Sequence, residues 1–145
     1  YLETAQRDDG AWDGYWWADR AYATALAADA LREDAPEAVR RAARWAAARL
    51  DGGSPTRLAA DQDPFGTALA LRTALPAVRG SGGLAVALND LLAAQRDDGS
   101  WTGSAHLRIP NARDAIVPAC DNRRTFTTAT VLETLMVLRQ AAVAA

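Results

Sequence analysis

Apolar residues return at helical spacing along most of the chain, in stretches parted by glycine and proline. Tyr22, Leu26, Ala30 and Leu31 share a face and predict a helix from about 20 to 32. Pro36 then opens a second helix, with Glu37 suited to its first turn. It runs to Leu50 and would bury Val39, Ala43, Trp45 and Ala46. Its opposite side carries Arg40, Arg41, Arg44 and Arg49, which reads as a solvated face. Asp63-Pro64 looks like an N-cap and first helical residue. The helix it starts, to about Leu75, carries Phe65, Ala68, Leu69 and Leu71. Pro76 and Gly80-Ser81-Gly82-Gly83 break the chain before a helix from Leu84 to Gln95. A long irregular loop, Thr102 to Arg123, precedes a last helix from about Arg124 to Val143, with Phe126, Val131, Leu135 and Leu138 on its apolar side.

Two repeats are superimposed on this pattern. Ala5-Gln6-Arg7-Asp8-Asp9-Gly10-Ala11-Trp12 recurs as Ala94-Gln95-Arg96-Asp97-Asp98-Gly99-Ser100-Trp101. A worn copy, Ala48 to Ser54, lies between them, giving a period of about 45 residues, one helix pair per unit. The glutamine falls in the last turn of a helix, and its amide can satisfy backbone groups left open there. The glycine supplies a positive φ that ends the helix, and the tryptophan folds back over it. The second repeat is aromatic-x-Thr-Ala at the start of each following helix: Tyr22 to Ala25, Phe65 to Ala68, Phe126 to Ala129. The small Thr-Ala pair permits close helix approach and the aromatic plugs the gap above. Three helical hairpins follow, with an Ala-rich inner helix and an Arg-bearing outer helix in each. The expected fold is an all-α, α/α toroid in the form of a partial ring. Residues 1–145 are read as a single domain, about half of a larger toroid. Tyr1 to Gln6 looks like the end of a helix whose beginning is absent.

The Gln-x-x-x-Gly-x-Trp turns resemble the QW motif of the prenyltransferase/squalene oxidase repeat family, as found in squalene-hopene cyclases and oxidosqualene cyclases. They are also similar to the repeats of class II terpene cyclases and of protein prenyltransferase β subunits. The resemblance covers nearly the whole chain. It implies a protein that binds and cyclises an isoprenoid by protonation and carbocation chemistry. The alternative is a non-catalytic toroid that binds an isoprenoid or a protein partner. Rings of this kind hold more hairpins than three. The missing half of the same polypeptide, or a homodimer partner, is therefore expected to cover an otherwise exposed inner wall.

Candidate chemistry follows from the resemblance. Class II cyclases use an Asp-x-Asp-Asp motif, often before Thr-Ala, whose middle Asp protonates the substrate. The nearest stretch here is Asp61-Gln62-Asp63-Pro64-Phe65-Gly66-Thr67-Ala68, which breaks the motif in either register. Asp63, with Asp61 beside it, is the best acid in this segment; otherwise Asp63 caps a helix and the acid lies in the other half. Tyr15, Trp16, Trp17 and Phe65 are candidates to line the substrate cavity, since aromatic faces stabilise carbocations. Three tryptophans within six residues, Trp12, Trp16 and Trp17, are unusual in a loop. The zinc set of the protein prenyltransferases would need Cys120, Asp121 and His106, but they share one loop in the wrong order. No metal and no cofactor is expected.

Composition narrows the partners. A formal net charge of −2 argues against non-specific nucleic-acid binding. One cysteine, Cys120, leaves no internal disulfide and fits a reducing compartment. No apolar run approaches a membrane span, so a cytoplasmic location is expected, with peripheral membrane contact compatible with an isoprenoid substrate. The absence of lysine and the abundance of Ala and Arg point to coding bias.

Overall fold

The computed structural model describes residues 1–51, 63–76, 82–104, 106–110 and 116–143. Six helices are present among the described residues: α1 (Leu2–Ala5), α2 (Ala21–Ala30), α3 (Pro36–Leu50), α4 (Pro64–Ala74), α5 (Gly82–Ala93) and α6 (Thr125–Val143). Helices α2, α4 and α6 form one row, with α4 touching both of the others. Helices α3 and α5 form a second row against α4. This is the layered, toroid-like all-α arrangement that the repeats imply. Between α5 and α6 the expected irregular loop instead contains an antiparallel hairpin, β1 (Leu107–Pro110) and β2 (Ile116–Ala119). Ile109, Ile116 and Val117 supply the β-branched residues such strands favour. That hairpin carries part of the candidate site.

The repeated turn is built in the same way twice. Gln6 and Gln95 stand just past their helices rather than in the last turn. Each donates its side-chain amide to the carbonyl of its own glycine, Gly10 at 2.9 Å and Gly99 at 3.0 Å. The second aspartate of each turn, Asp9 or Asp98, accepts from the backbone two residues on and ion-pairs with the arginine before the next helix. Those arginines are Arg20 and Arg124, at 2.7 and 2.9 Å. Trp12 and Trp101 donate their indole N–H groups back to Leu2 and Leu91 carbonyls, at 2.8 and 2.7 Å. Their backbone N–H groups reach the threonines of the second repeat, Thr24 and Thr128. The Thr of aromatic-x-Thr-Ala is thus a hydrogen-bond acceptor that ties turn to helix. Asp51 leaves α3 with φ −65°, ψ 133°, almost the conformation of Gln6 at −68°, 132°. Ala48 to Leu50 end α3, while Gly52 to Ser54 of that worn copy, and Asp61, lie outside the described residues.

Both turn glycines have positive φ, +94° at Gly10 and +80° at Gly99. They differ in surroundings. A Cβ on Gly10 would stand 2.5 Å from the Arg41 carbonyl oxygen, whereas one on Gly99 meets nothing nearer than 3.9 Å. Gly99→Ala is therefore expected to cost about 1–2 kcal/mol, the left-handed strain alone. Gly10→Ala should cost clearly more, because α3 must also retreat. Urea midpoints of the two variants check the order; equal midpoints would contradict it.

Helix α4 is the packing centre. Nearly every residue from Pro64 to Ala74 is buried, Arg72 being the half-buried exception. Around it Ala46, Leu50, Leu71, Leu91, Trp101 and Val131 form the main core. Two expectations need correcting. On α2 the buried face is Ala21, Thr24, Ala25, Ala27 and Ala28, while Leu26 is 49% exposed. Close helix contact selects the small residues, and the large ones turn to the open edge. On α3, Arg40 and Arg44 are solvated, but Arg41 bonds the Gln6 side chain and Arg49 is only 15% exposed. Among the described residues α4 has no exposed large apolar side chain; these stand on α2 (Leu26), on α5 (Val86 and Leu92), on the hairpin and, in greatest number, on α6 (Phe126, Leu132, Met136 and Val143).

Candidate functional site

The N-terminus of α4 is where the repeats converge. Asp63 caps the helix, its Oδ1 accepting from the Gly66 N–H at 2.9 Å. Its backbone oxygen also takes the Thr67 hydroxyl at 2.8 Å. Gly66 is the variable residue of aromatic-x-Thr-Ala, and here it must be small. A Cβ at that position would collide with the Asp63 carboxylate. Ala23 and Thr127 stand at the equivalent places in α2 and α6, whose first turns are met by carboxylates from further upstream, Asp19 on the Ala21 N–H and Asp121 on the Thr127 N–H, so no carboxylate crowds either position in the way that Asp63 crowds Gly66.

Asp63 is 2% exposed, yet it is not a bare buried charge. His106 Nε2 lies 3.0 Å from Oδ1 and the Arg49 guanidinium 3.6 Å from Oδ2. Arg49 in turn pairs with Asp19 at 2.8 Å, and Asp19 caps the Ala21 N–H of α2 at 2.7 Å. Burial pushes the Asp63 carboxyl up, but the hydrogen bond and charge of His106, the Gly66 N–H and Arg49 outweigh it. Its pKa falls below the ordinary value of 3.8. For His106 the hydrogen bond to Asp63 dominates over burial, with help from the Asp63 and Asp19 charges, and its pKa rises above 6.5.

The pH dependence follows from these signs. The His106 contribution is fully present below pH 6.5 and fades as pH rises through its higher folded-state value. The Asp63 contribution is present above 3.8 and is lost as pH falls through its depressed folded-state value. Stability from this pair should therefore be greatest between the two folded-state values. Melting temperature against pH should decline on the alkaline side of His106, and Asp63→Asn should flatten that decline. A wild-type curve without an alkaline step would contradict the pairing.

Beside this cluster stands an aromatic one. Trp17 stacks on Tyr22, Phe65 and Phe126, with ring centroids 4.3, 5.0 and 5.4 Å away. Phe65 and Phe126 are 5.6 Å apart and Tyr22 and Phe65 6.1 Å. The three aromatics of the three repeat starts thus meet on one tryptophan. Exposure runs from 1% at Phe65 to 45% at Phe126, so the wall is sealed at α4 and open at α6. Trp17 is held by the β-hairpin: the Ala18 N–H donates to the His106 carbonyl and the Arg108 N–H to the Trp16 carbonyl. Trp17 itself bridges to Leu107 as a short third strand.

Of the residues singled out in the sequence, the structure brings Asp63, Phe65 and Trp17 together. Tyr15 and Trp16 form a separate edge-to-face pair at 4.8 Å, 70% and 47% exposed. Tyr22 and Phe126 were not among the expected cavity residues, although the repeat that pointed to Phe65 points equally to them. No pattern flagged His106, Arg49 and Asp19 as partners of Asp63, because they come from three other elements. Cys120 is exposed, and the Asp121 carboxylate accepts from the Thr127 N–H at 2.8 Å. Among the described residues no three His, Cys, Asp or Glu side chains stand together as metal ligands. No described helix is long and apolar enough to cross a membrane.

The helical, toroid-like arrangement matches solved structures that include a type II terpene cyclase. The chain is similar to a protein from Actinoplanes, at 35% identity and a TM-score of 0.79 over 93% of the chain. It is similar to the type II terpene cyclase MstE from Scytonema without ligand, at 31% identity and a TM-score of 0.75. An MstE variant in complex with geranylgeranyl dihydroxybenzoate, its substrate, matches at 31% identity and a TM-score of 0.74. The chain spans about half the length of these proteins, 47%, 48% and 47% respectively. No protein-family model matches it, and no curated protein matches it in sequence.

Proposed function

We propose that this chain is one half of a class II terpene-cyclase-like α/α toroid, and that the completed ring binds an isoprenoid and cyclises it through carbocations. The observation that carries this is the convergence of Tyr22, Phe65 and Phe126 on Trp17 in a chain 31% identical to a type II terpene cyclase. Aromatic faces stabilise a passing cation by about 0.5–2 kcal/mol each, and stacked rings hold such faces rigid. A geranylgeranyl chain, as carried by the MstE substrate, is the substrate class that this likeness favours.

The ring continues, on this reading, beyond both ends of the arc. The Gln6 amide also reaches the Ala38 carbonyl of α3 at 2.9 Å, while the matching Gln95 turn is exposed. The open apolar side of α6 suits a further inner helix. The partner is the other half of the same polypeptide, since the similar proteins are twice this length.

Asp63 is the one candidate acid within the described residues, and its surroundings favour a different role. An acid strong enough to protonate an alkene must hold its proton until substrate is in place. Asp63 is kept ionised by His106, Arg49 and the helix cap. We therefore assign the proton donor to the other half and read Asp63 as an anchor of the aromatic wall. Product formation from a geranylgeranyl substrate by the full-length protein tests both points. Cyclised product from the wild type, retained at reduced level by Asp63→Asn, is expected. Complete loss in a folded Asp63→Asn variant would return the acid to Asp63. Absence of cyclised product from the wild type would overturn the cyclase reading.

A further inference from the structure

We propose that His106 is a positioning residue: with Asp63, Arg49 and Asp19 it forms a clasp that fixes Trp17 in the aromatic wall and so sets how a bound chain is folded. This rests on the reading of that wall as the lining of an isoprenoid cavity.

The clasp joins four elements that are distant in sequence. Asp19 comes from the segment before α2, Arg49 from the last turn of α3, Asp63 from the cap of α4, and His106 from the entry to β1. Three contacts connect them: Asp19 to Arg49 at 2.8 Å, Arg49 to Asp63 at 3.6 Å, and Asp63 to His106 at 3.0 Å. Asp63 is 3% exposed as a side chain, Arg49 15%, Asp19 19% and His106 22%, so solvent screens this set weakly. With His106 protonated, two cations face two carboxylates and the set is neutral. These are the charged groups that face His106 from α3, α4 and the segment before α2.

The route to Trp17 is short. The His106 carbonyl accepts from the Ala18 N–H at 2.6 Å, and the Arg108 N–H donates to the Trp16 carbonyl at 2.7 Å. Trp17 is therefore flanked on both sides by residues bonded to the strand that His106 starts. Its ring touches the aromatics of α2, α4 and α6 at once. Releasing the imidazole from Asp63 frees β1 from α4 and lets the Trp17 ring tilt. A tilt of that kind changes which double bond of a folded polyene meets the aromatic faces. Misplacement of about 1 Å at a reacting centre can cost on the order of a hundredfold in rate.

The test uses the full-length protein and two kinds of readout. His106→Gln retains a side-chain N–H for Asp63, whereas His106→Ala removes it; both must melt cooperatively. By NMR, the His106 imidazole, identified by its loss in His106→Gln, should titrate above the ordinary histidine value. It should move back toward that value in Asp63→Asn. The Trp17 indole N–H signal, assigned by its loss in Trp17→Phe, should shift in His106→Ala and stay in place in His106→Gln. With a geranylgeranyl substrate, His106→Ala should change the ratio of fully to partially cyclised product by about tenfold, and His106→Gln should restore it. An unmoved Trp17 signal in His106→Ala overturns the proposal whether or not the protein turns over. A moved signal with an unchanged product ratio overturns its link to substrate folding. Lack of any wild-type product, with the NMR results as expected, would instead sink the cyclase reading and leave the clasp standing.

Discussion

Replacing Trp101 by alanine is expected to lower the unfolding free energy by about 3–5 kcal/mol, the range for truncating a large buried aromatic. Trp101 is 1% exposed and lies among Ala46, Leu50, Leu71, Leu91 and Val131, residues drawn from α3, α4, α5 and α6. The indole N–H also closes the Leu91 carbonyl at 2.7 Å. Trp101→Phe keeps much of the apolar area but leaves that carbonyl without its donor, and should cost about 1–3 kcal/mol. Chemical denaturation of the two variants separates packing from hydrogen bonding. If Trp101→Ala lost less than about 1 kcal/mol, the turn would not be the lock described here.

Asp63→Ala carries the second large effect. It removes a helix cap, worth about 0.5–2 kcal/mol. It also deprives His106 and Arg49 of a shared carboxylate, and breaking a buried pair from one side typically costs about 3–5 kcal/mol. Two features temper that sum. Arg49 keeps Asp19, and His106 can shed its proton. About 3 kcal/mol near pH 6 is the expected loss, shrinking as the pH rises past the raised His106 value. Asp63→Asn should lose less, since an amide oxygen can still accept from the Gly66 N–H. Gly66→Ala should imitate Asp63→Ala without touching a charge, because the new methyl would displace the carboxylate. Melting curves of the three variants near pH 6 and above the raised His106 value read this directly. Equal losses at the two pH values would mean that the His106 pair contributes nothing.

Much of the fold was legible because it is repeated. The helix boundaries at Pro36, Leu50 and Pro64 coincide with Pro-cap signals and with the end of apolar periodicity. The two Gln-to-Trp turns are alike in sequence and have the same hydrogen bonds. Where the repeat is interrupted, legibility fails. The hairpin of β1 and β2 lies in the insertion between Trp101 and Phe126, where proline and short apolar runs read equally well as loop. The buried face of α2 was misjudged because hydrophobicity ranks Leu26 above alanine, whereas close packing selects alanine.

The site was half legible. Asp63 and Phe65 stood out through their resemblance to a cyclase motif, and Trp17 through a cluster of tryptophans. The partners of Asp63 were hidden for a physical reason. Arg49 looked like one more solvated arginine on an amphipathic helix, and its direction is set by the last turn of α3 meeting the cap of α4. His106 is the chain's one histidine and has no motif around it; only the pairing of β1 with the Trp17 segment brings it home. Long-range charge pairs of this kind leave no local periodicity for a sequence to display.

A crystal structure of the full-length protein with a geranylgeranyl ligand would probe the account most directly. The polyene should lie against the open end of the aromatic wall, in van der Waals contact with the Phe126 and Trp17 rings, with the second half of the ring closing over α6. A ligand bound elsewhere, with Phe126 buried against protein and no cavity in front of Trp17, would mean that these rings are core packing and that the terpenoid assignment is wrong.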